Sequence, residues 1–442
     1  MNLITVLFIL LASAALGAPP NFVFILTDDH GYGDVSAYGA KGIRTPHIDG
    51  IGAEGMLLTA MRANCTVCSP TRAAILSGKY PDRVGVPGVI RTQPGDSWGW
   101  FDSATPTLAD LLGDKGYDTA LIGKWHLGLA SPNTPNERGF DHFHGFLGDM
   151  MDSYTGHLRH GQNYMRLNTE TITPEGHATD LFSDWAADYL RSKERTAKPF
   201  FLFLAYNAPH FPIEPPAESL RKVREREPQL PPERAKSIAF AEHLDEGIGR
   251  VLKALEESGL AGNTVVVFTA DNGGSLPHHQ SNVPWRGGKQ EHYDGGLRVP
   301  CMIRWPGKIP AGSRSDHPAL TFDLSATFLE LSGAGIPAGF DAVSLAPILR
   351  GEAVSEPREL YFVRREGGAY GGNAYHALIH GDWKLLRNTT TSAYELYNLK
   401  QDPHETRDLA KQEKAVHADL MQRIMRRIPA GGRTPWQPPQ GN

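Results

Sequence analysis

Cys68-Ser69-Pro70-Thr71-Arg72 brings a thiol, a backbone-fixing proline and a guanidinium into one short stretch. Pro70 fixes its own φ and biases the residue before it away from helix. From Thr71 the run Arg-Ala-Ala-Ile-Leu reads as the first turns of a helix. Cys68 therefore falls at a helix N-terminus, where exposed N–H groups and the dipole favour negative charge. Arg72, about one turn on, can help hold an anion there. Two further pairs follow apolar runs: Asp28-Asp29 after 21–27, and Asp271-Asn272 after 264–269. All four are oxygen donors, which suits a hard cation, calcium or magnesium rather than zinc. Read singly, each pair is an ordinary turn former. Lys124 and His126 alternate on one side of an extended segment, and His210 is held between Pro209 and Pro212. Cys65-x-x-Cys68 also fits a redox pair or half a zinc site. With three cysteines in the chain and Cys301 remote, a four-cysteine site is excluded.

Taken in order, these motifs resemble the type I sulfatases of the alkaline phosphatase superfamily. Cys68-x-Pro70-x-Arg72 followed by Ala-Ala-Ile-Leu-Ser-Gly is similar to the family's first signature. Gly116-Tyr117-Asp118-Thr119-Ala120-Leu121-Ile122-Gly123-Lys124-Trp125-His126 is similar to its second. Asn21 to Asp29, Asp271-Asn272-Gly273, Asn207-Ala208-Pro209-His210 and the run from Lys289 to Pro300 extend the likeness to roughly residues 20–410. The resemblance implies that Cys68 is oxidised to formylglycine, whose hydrate is the nucleophile. It implies one divalent cation, usually calcium with magnesium as the other choice, on Asp28, Asp29, Asp271, Asn272 and an oxygen of residue 68. It also implies that Arg72, Lys124, His126, His210 and Lys289 complete the catalytic set, with Lys124, His210 and Lys289 on the substrate. Asp294 stands where the family carries Glu. Its shorter reach leaves it out of the expected site.

The elements that must position these residues are legible as apolar runs. Residues 21–27, 119–122, 199–206 and 264–269 suit buried parallel strands, with helices over 107–115, 179–192 and 233–258 between them. That alternation predicts an α/β fold with a large mixed, mostly parallel sheet flanked by helices. Segment 215–232 reads as a solvated excursion. After about 341, short runs at 361–364, 376–379, 383–387 and 395–398 and a helix over 408–428 predict a smaller C-terminal α+β subdomain with an antiparallel sheet. The expected organisation is a signal peptide over 1–18, a catalytic domain over 19–340, the subdomain over 341–428 and an extended or mobile tail over 429–442.

The chain has 442 residues, 40% hydrophobic and 21% charged, with a formal net charge of −5, so nothing points to nucleic acid. The apolar run 3–16 is short for a membrane span and ends in small residues, which predicts a secreted or periplasmic protein; a retained anchor stays open because the run has no leading Lys or Arg. A glycan on the formal acceptor Asn64-Cys65-Thr66 would block Cys68, which favours a bacterial source. Pairing of Cys65 with Cys301 is left open. The expected activity is hydrolysis of a sulfate monoester on a sulfated carbohydrate such as N-acetylgalactosamine 6-sulfate or galactose 6-sulfate, after maturation by a formylglycine-generating enzyme. A phosphomonoester or phosphonate hydrolase, a sulfated-glycan-binding protein and a Cys65–Cys68 thiol-redox protein are the competing readings. The polar stretch Asp149, Asp152, Tyr154, His157, His160 reads as an ordinary surface loop, with a pocket mouth as its alternative.

Overall fold

Alternation of side chains across a strand explains the centre of the molecule. In Asn21–Thr27, Phe22, Phe24 and Leu26 point to one face and Val23 and Ile25 to the other, all fully buried. Phe201 and Phe203 join the first face, and Leu202 and Leu204 the second. A strand apolar on both faces must be covered on both, which is why its sequence is a continuous apolar run.

The computed structural model describes residues 18–438, apart from 195, 197, 353, 355–357, 368–370 and 372–374. The leader expected over 1–18 thus lies outside the described residues, save its last position. The large sheet has ten strands, in the order Ser313–Ser315, Met56–Leu58, Cys301–Arg304, Thr264–Ala270, Asn21–Thr27, Phe200–Ala205, Asp118–Lys124, His142–Phe146, Met165–Leu167 and Glu170–Thr171. The five from Thr264–Ala270 to His142–Phe146 run parallel. Antiparallel pairing begins at Cys301–Arg304 on one side and Met165–Leu167 on the other. The helices Ala178–Ser192 and Pro232–Glu257 pack together on one face. The helix Cys68–Ser77 contributes Ala73, Ile75 and Leu76 to the other.

The second sheet is antiparallel, in the order Leu360–Val363, His376–His380, Trp383–Arg387, Glu395–Asn398. The helix Lys414–Gly431 lies on it through Leu420 and Ile424. That helix begins later than the sequence pattern suggests, because Asp408 spends its carboxylate on the amides of Leu396 and Ala410 and holds a turn. Ala74 of the Cys68–Ser77 helix belongs to the same apolar cluster as Phe362, Leu378 and Leu420, so one core joins that helix to the second sheet.

Two expectations are corrected. The charged segment 215–232 is not an excursion throughout: Ala217–Arg226 is a helix, its Val223 buried with Ile43, Ala235 and Ile238. Arg221 bridges Glu218 and Glu225 on its outer face. The described part of the 429–442 tail is also docked. Trp436 stacks on Trp98 at 4.7 Å with rings 1° from parallel, and Thr434 Oγ1 donates to the Arg83 carbonyl at 2.9 Å.

Candidate active site

Strand order decides which loops can meet. Thr264–Ala270, Asn21–Thr27, Phe200–Ala205 and Asp118–Lys124 are consecutive and parallel, so their carboxyl ends open onto one crevice. Asp271 and Asn272, Asp28 and Asp29, His210, and Lys124 leave those four ends in turn. Gly273 lets the second pair fit, since a Cβ there would lie 1.9 Å from the Gly295 carbonyl oxygen.

The helix Cys68–Ser77 begins at Cys68 itself, and its N-cap Val67 offers no side-chain acceptor. The first-turn N–H groups therefore face the crevice without a cap. Thr71 Oγ1 pins the preceding loop by bonding both the amide and the carbonyl of Cys65. Cys68 Sγ donates to Asp28 Oδ1 at 3.2 Å. Cys65, Cys68 and Cys301 are all buried free thiols. Burial pushes Cys65 up to about 12, and burial together with Asp28 pushes Cys68 well above the ordinary thiol range. Asn64 is buried with its Oδ1 accepting from Thr321 Oγ1 and the Phe322 amide, so the formal glycosylation acceptor is enclosed.

Three cations meet three carboxylates. Lys124 Nζ pairs with Asp28. Lys289 Nζ reaches Asp29 Oδ2 at 2.7 Å, and Arg72 reaches Asp271 Oδ2 through Nε at 3.0 Å and Nη2 at 2.9 Å. Burial works against the Asp28 charge, but Lys124, His210 and Arg72 outweigh it and hold the carboxyl far below the usual range. Burial and the neighbouring Asp28 charge push Asp271 up to about 7. Asn272 Nδ2 donates to Asp29 Oδ1 at 2.8 Å, while its Oδ1 is buried with no hydrogen-bond partner among the described residues. Asp28, Asp29, Cys68 and His210 each bring a ligand atom within 4.8 Å of one another. Crowded buried carboxylates and an orphaned carboxamide oxygen suit one hard divalent cation.

The histidines differ in what they leave open. His210 Nδ1 lies 2.6 Å from the Phe211 carbonyl and its Nε2 lies 3.1 Å from Lys289 Nζ. That pattern makes Nδ1 the protonated nitrogen and Nε2 the acceptor. Burial and Lys289 push its pKa down to about 4. His126 Nε2 lies 2.7 Å from the Ile90 carbonyl, so Nδ1 keeps its lone pair, buried and unpartnered among the described residues. Lys124 ends its strand, and His126 adopts φ 65°, which turns the imidazole out of line with the strand.

Above Cys68 lies a cavity of about 160 Å³, bounded by Val67, His126, His210 and Lys289, and further out by Asp149 and Arg159. The polar stretch 149–160 is therefore not simply a surface loop: Asp149 lines the cavity. Tyr154 and His157 are buried as supports, with Tyr154 OH donating to the His210 carbonyl at 2.9 Å. Arg159 and Arg91 also stand at this cavity, and neither belongs to a motif that would mark it in the sequence. Asp294 stands outside it, gripped by Arg62 at 2.6 Å, Arg298 at 3.1 Å and Lys384 at 2.9 Å.

This fold is that of the sulfatase family. The family's model matches residues 20–334, and the model described as N-sulphoglucosamine sulphohydrolase, C-terminal, matches 288–430. The chain belongs to the sulfatase family and is a sulfuric ester hydrolase. It is 31% identical to N-acetylgalactosamine-6-sulfatase of Sus scrofa over 417 residues, covering 88% of this chain and 76% of the relative. Arylsulfatase A of Bos taurus is 28% identical, with 95% and 89% covered. The crystal structure of Ps i-CgsB in complex with k-i-k-neocarrahexaose superposes with a TM-score of 0.86 at 28% identity, over 95% of each chain. Among the described residues no helix is long and apolar enough to cross a membrane.

Proposed function

We propose that this sulfatase removes sulfate from a monoester on a carbohydrate, with residue 68 matured to formylglycine and calcium bound by Asp28, Asp29, Asp271 and Asn272. The observation that carries the reading is the contact of Cys68 Sγ with Asp28 at the start of an uncapped helix, under a cavity that also reaches Lys289 and His210. The carbohydrate preference rests on the charged rim of Asp149, Arg159 and Arg91, which suits hydroxyls better than a hydrocarbon. Relatives named N-acetylgalactosamine-6-sulfatase and a neighbour holding a neocarrahexaose support it. Galactose 6-sulfate and N-acetylgalactosamine 6-sulfate are the first substrates to try.

A sulfate monoester is an anion, so its attack requires neutralising charge at the oxygens where charge collects. When bound, the cation supplies positive charge that acidifies an oxygen on residue 68. Formylglycine, once water has added to its aldehyde, would present two geminal hydroxyls in place of the thiol. Lys124 and Lys289 face the sulfate oxygens, and Arg72 holds Asp271 and the helix start in place. Lys289 Nζ and His210 Nε2, 3.1 Å apart, form a proton-transfer pair that assists the departing alcohol oxygen. His126 Nδ1, with its lone pair free, takes the proton of the remaining hydroxyl as sulfate leaves.

We further propose that residues 1–18 direct export to the periplasm or medium and are removed, that a formylglycine-generating enzyme matures the chain, and that 19–340 and 341–428 act as one catalytic unit. The test is sulfate release by protein co-expressed with such an enzyme, on sulfated sugars, aryl sulfate and aryl phosphate, with mass spectrometry of the residue-68 peptide. Phosphate release outrunning sulfate release, with residue 68 converted, would reject the reading in favour of a phosphomonoesterase.

A further inference from the structure

The sequence between His142–Phe146 and Met165–Leu167 carries a small hairpin. Leu158–Arg159 pairs with Gln162–Asn163 through His160 and Gly161, at φ 50° and 75°. Positive φ at both central residues is the mark of a type I′ turn, whose twist matches a two-stranded ribbon. The hairpin is fastened at its turn, where His160 N donates to Asp152 Oδ2 at 2.6 Å. Its product is a fixed Arg159. Nε and Nη2 fork onto Asp149 at 2.9 and 3.3 Å, and Nη1 donates to Asp152 at 3.0 Å. A guanidinium has five N–H donors, so about two remain for a ligand. Asp149 is itself held by the Met150 amide at 2.8 Å. In the same cavity the Phe211 ring is stacked on His278 at 4.2 Å and on His210 at 4.6 Å, which fixes that wall.

We propose that Arg159, clamped between Asp149 and Asp152, is the sugar-recognition residue of this cavity, pairing with Asp149 to hold the hydroxyls of the sulfated pyranose. The proposal rests on the carbohydrate sulfatase reading. A guanidinium already seated between carboxylates loses little freedom when a hydroxyl joins it, so the subsite is organised before substrate arrives. A carboxylate and a guanidinium side by side offer acceptor and donor to neighbouring hydroxyls, which a sulfated ring carries and a nitrophenyl group does not.

The experiment compares Arg159→Ala, Arg159→Lys and Asp149→Asn in the full, matured chain on galactose 6-sulfate, N-acetylgalactosamine 6-sulfate and 4-nitrophenyl sulfate. For Arg159→Ala, the ratio of kcat/KM on the better sugar to kcat/KM on the aryl ester falls roughly 10- to 100-fold, mainly through KM, as loss of charge-assisted hydrogen bonds predicts. Arg159→Lys falls between, because it keeps the charge and loses the fork. Asp149→Asn lowers the same ratio. An unchanged ratio, with both substrates falling together, would show a hairpin that only supports the fold and would overturn the proposal. Wild-type protein that cleaves the aryl ester and neither sugar would also overturn it, leaving the sulfatase chemistry intact. A converted protein that cleaves no sulfate ester would instead fail the functional reading itself.

Discussion

Arg72 holds Asp271 through two nitrogens, at 3.0 and 2.9 Å, and joins the Cys68–Ser77 helix to the end of the Thr264–Ala270 strand. Both side chains are essentially inaccessible. Arg72→Ala leaves a buried carboxylate without its partner, a loss of about 3–5 kcal/mol in stability for pairs of this kind. The expected outcome is a lower Tm together with a kcat lower by about 10²–10³. Arg72→Lys keeps the charge without the fork and falls between. Full activity in Arg72→Ala, read by aryl sulfate turnover, would remove the residue from the mechanism.

Cys68→Ala is expected to abolish turnover while leaving the fold, since the Ala side chain occupies less of the same buried space and breaks only the 3.2 Å contact to Asp28. Circular dichroism and aryl sulfate assays separate the two effects. Substantial retained activity would sink the residue-68 mechanism.

Cation removal is expected to lower both rate and stability. The site crowds Asp28, Asp29 and Asp271 against one another, and burial together with the Asp28 charge pushes Asp271 up to about 7. Chelation followed by graded calcium should raise Tm with concentration, by about 2.7 kcal/mol of stabilisation at 100 times Kd. Asp29→Ala should flatten that response. A Tm indifferent to calcium in the native protein would refute the cation assignment.

The terminal tail is expected to support the rate from a distance. Trp436 stacks on Trp98, and Trp98 N donates to the Val89 carbonyl next to Ile90, whose own carbonyl receives His126 Nε2. Trp436→Ala removes an aromatic pair worth about 0.5–1.5 kcal/mol beyond its buried area. It should lower Tm modestly and kcat several-fold with KM little changed. Identical kcat in the variant would show the tail to be passive.

Stability should decline on the acid side through His376. Both ring nitrogens lack a hydrogen-bond partner among the described residues, and burial, with Arg365 and Arg387 nearby, pushes the pKa down to about 3. Unfolded, the ring takes up its proton near the ordinary 6.5; folded, it resists. The unfolded state therefore binds more protons between those values, and stability falls as pH drops below 6.5. His376→Phe should make the acid limb of Tm against pH shallower. Matching slopes for the two proteins between pH 7 and 4.5 would contradict this origin.

Much of the architecture was legible because its strands are buried on both faces. Asn21–Thr27 and Thr264–Ala270 have no polar alternation to confuse with a helix, and the acidic pairs at their ends mark where they stop. Ala217–Arg226 was illegible because it buries only Ser219 and Val223 against a charged surround. Its helix depends on a shelf supplied by Ile43 and Ala235 from elsewhere in the chain. Arg159 was illegible for a related reason. Nothing local distinguishes it, and its meaning comes from Asp149 and from a cavity whose floor is ninety residues away at Cys68. Asp294 was legible as a residue that does not reach the site, but its grip on Arg62 and Lys384 required both halves of the chain to be seen together.

The near-complete enclosure of Cys68, 3% exposed, sets a timetable for the chain. The residues that close over the sulfur, Asp271 and Lys289 among them, leave the ribosome long after it does. Until they arrive, Cys68-Ser69-Pro70-Thr71-Arg72 is an accessible peptide; afterwards it is buried. On the formylglycine reading, maturation of that thiol is therefore a race against the chain's own folding, and the converted share of residue 68 in a preparation would record which process finished first.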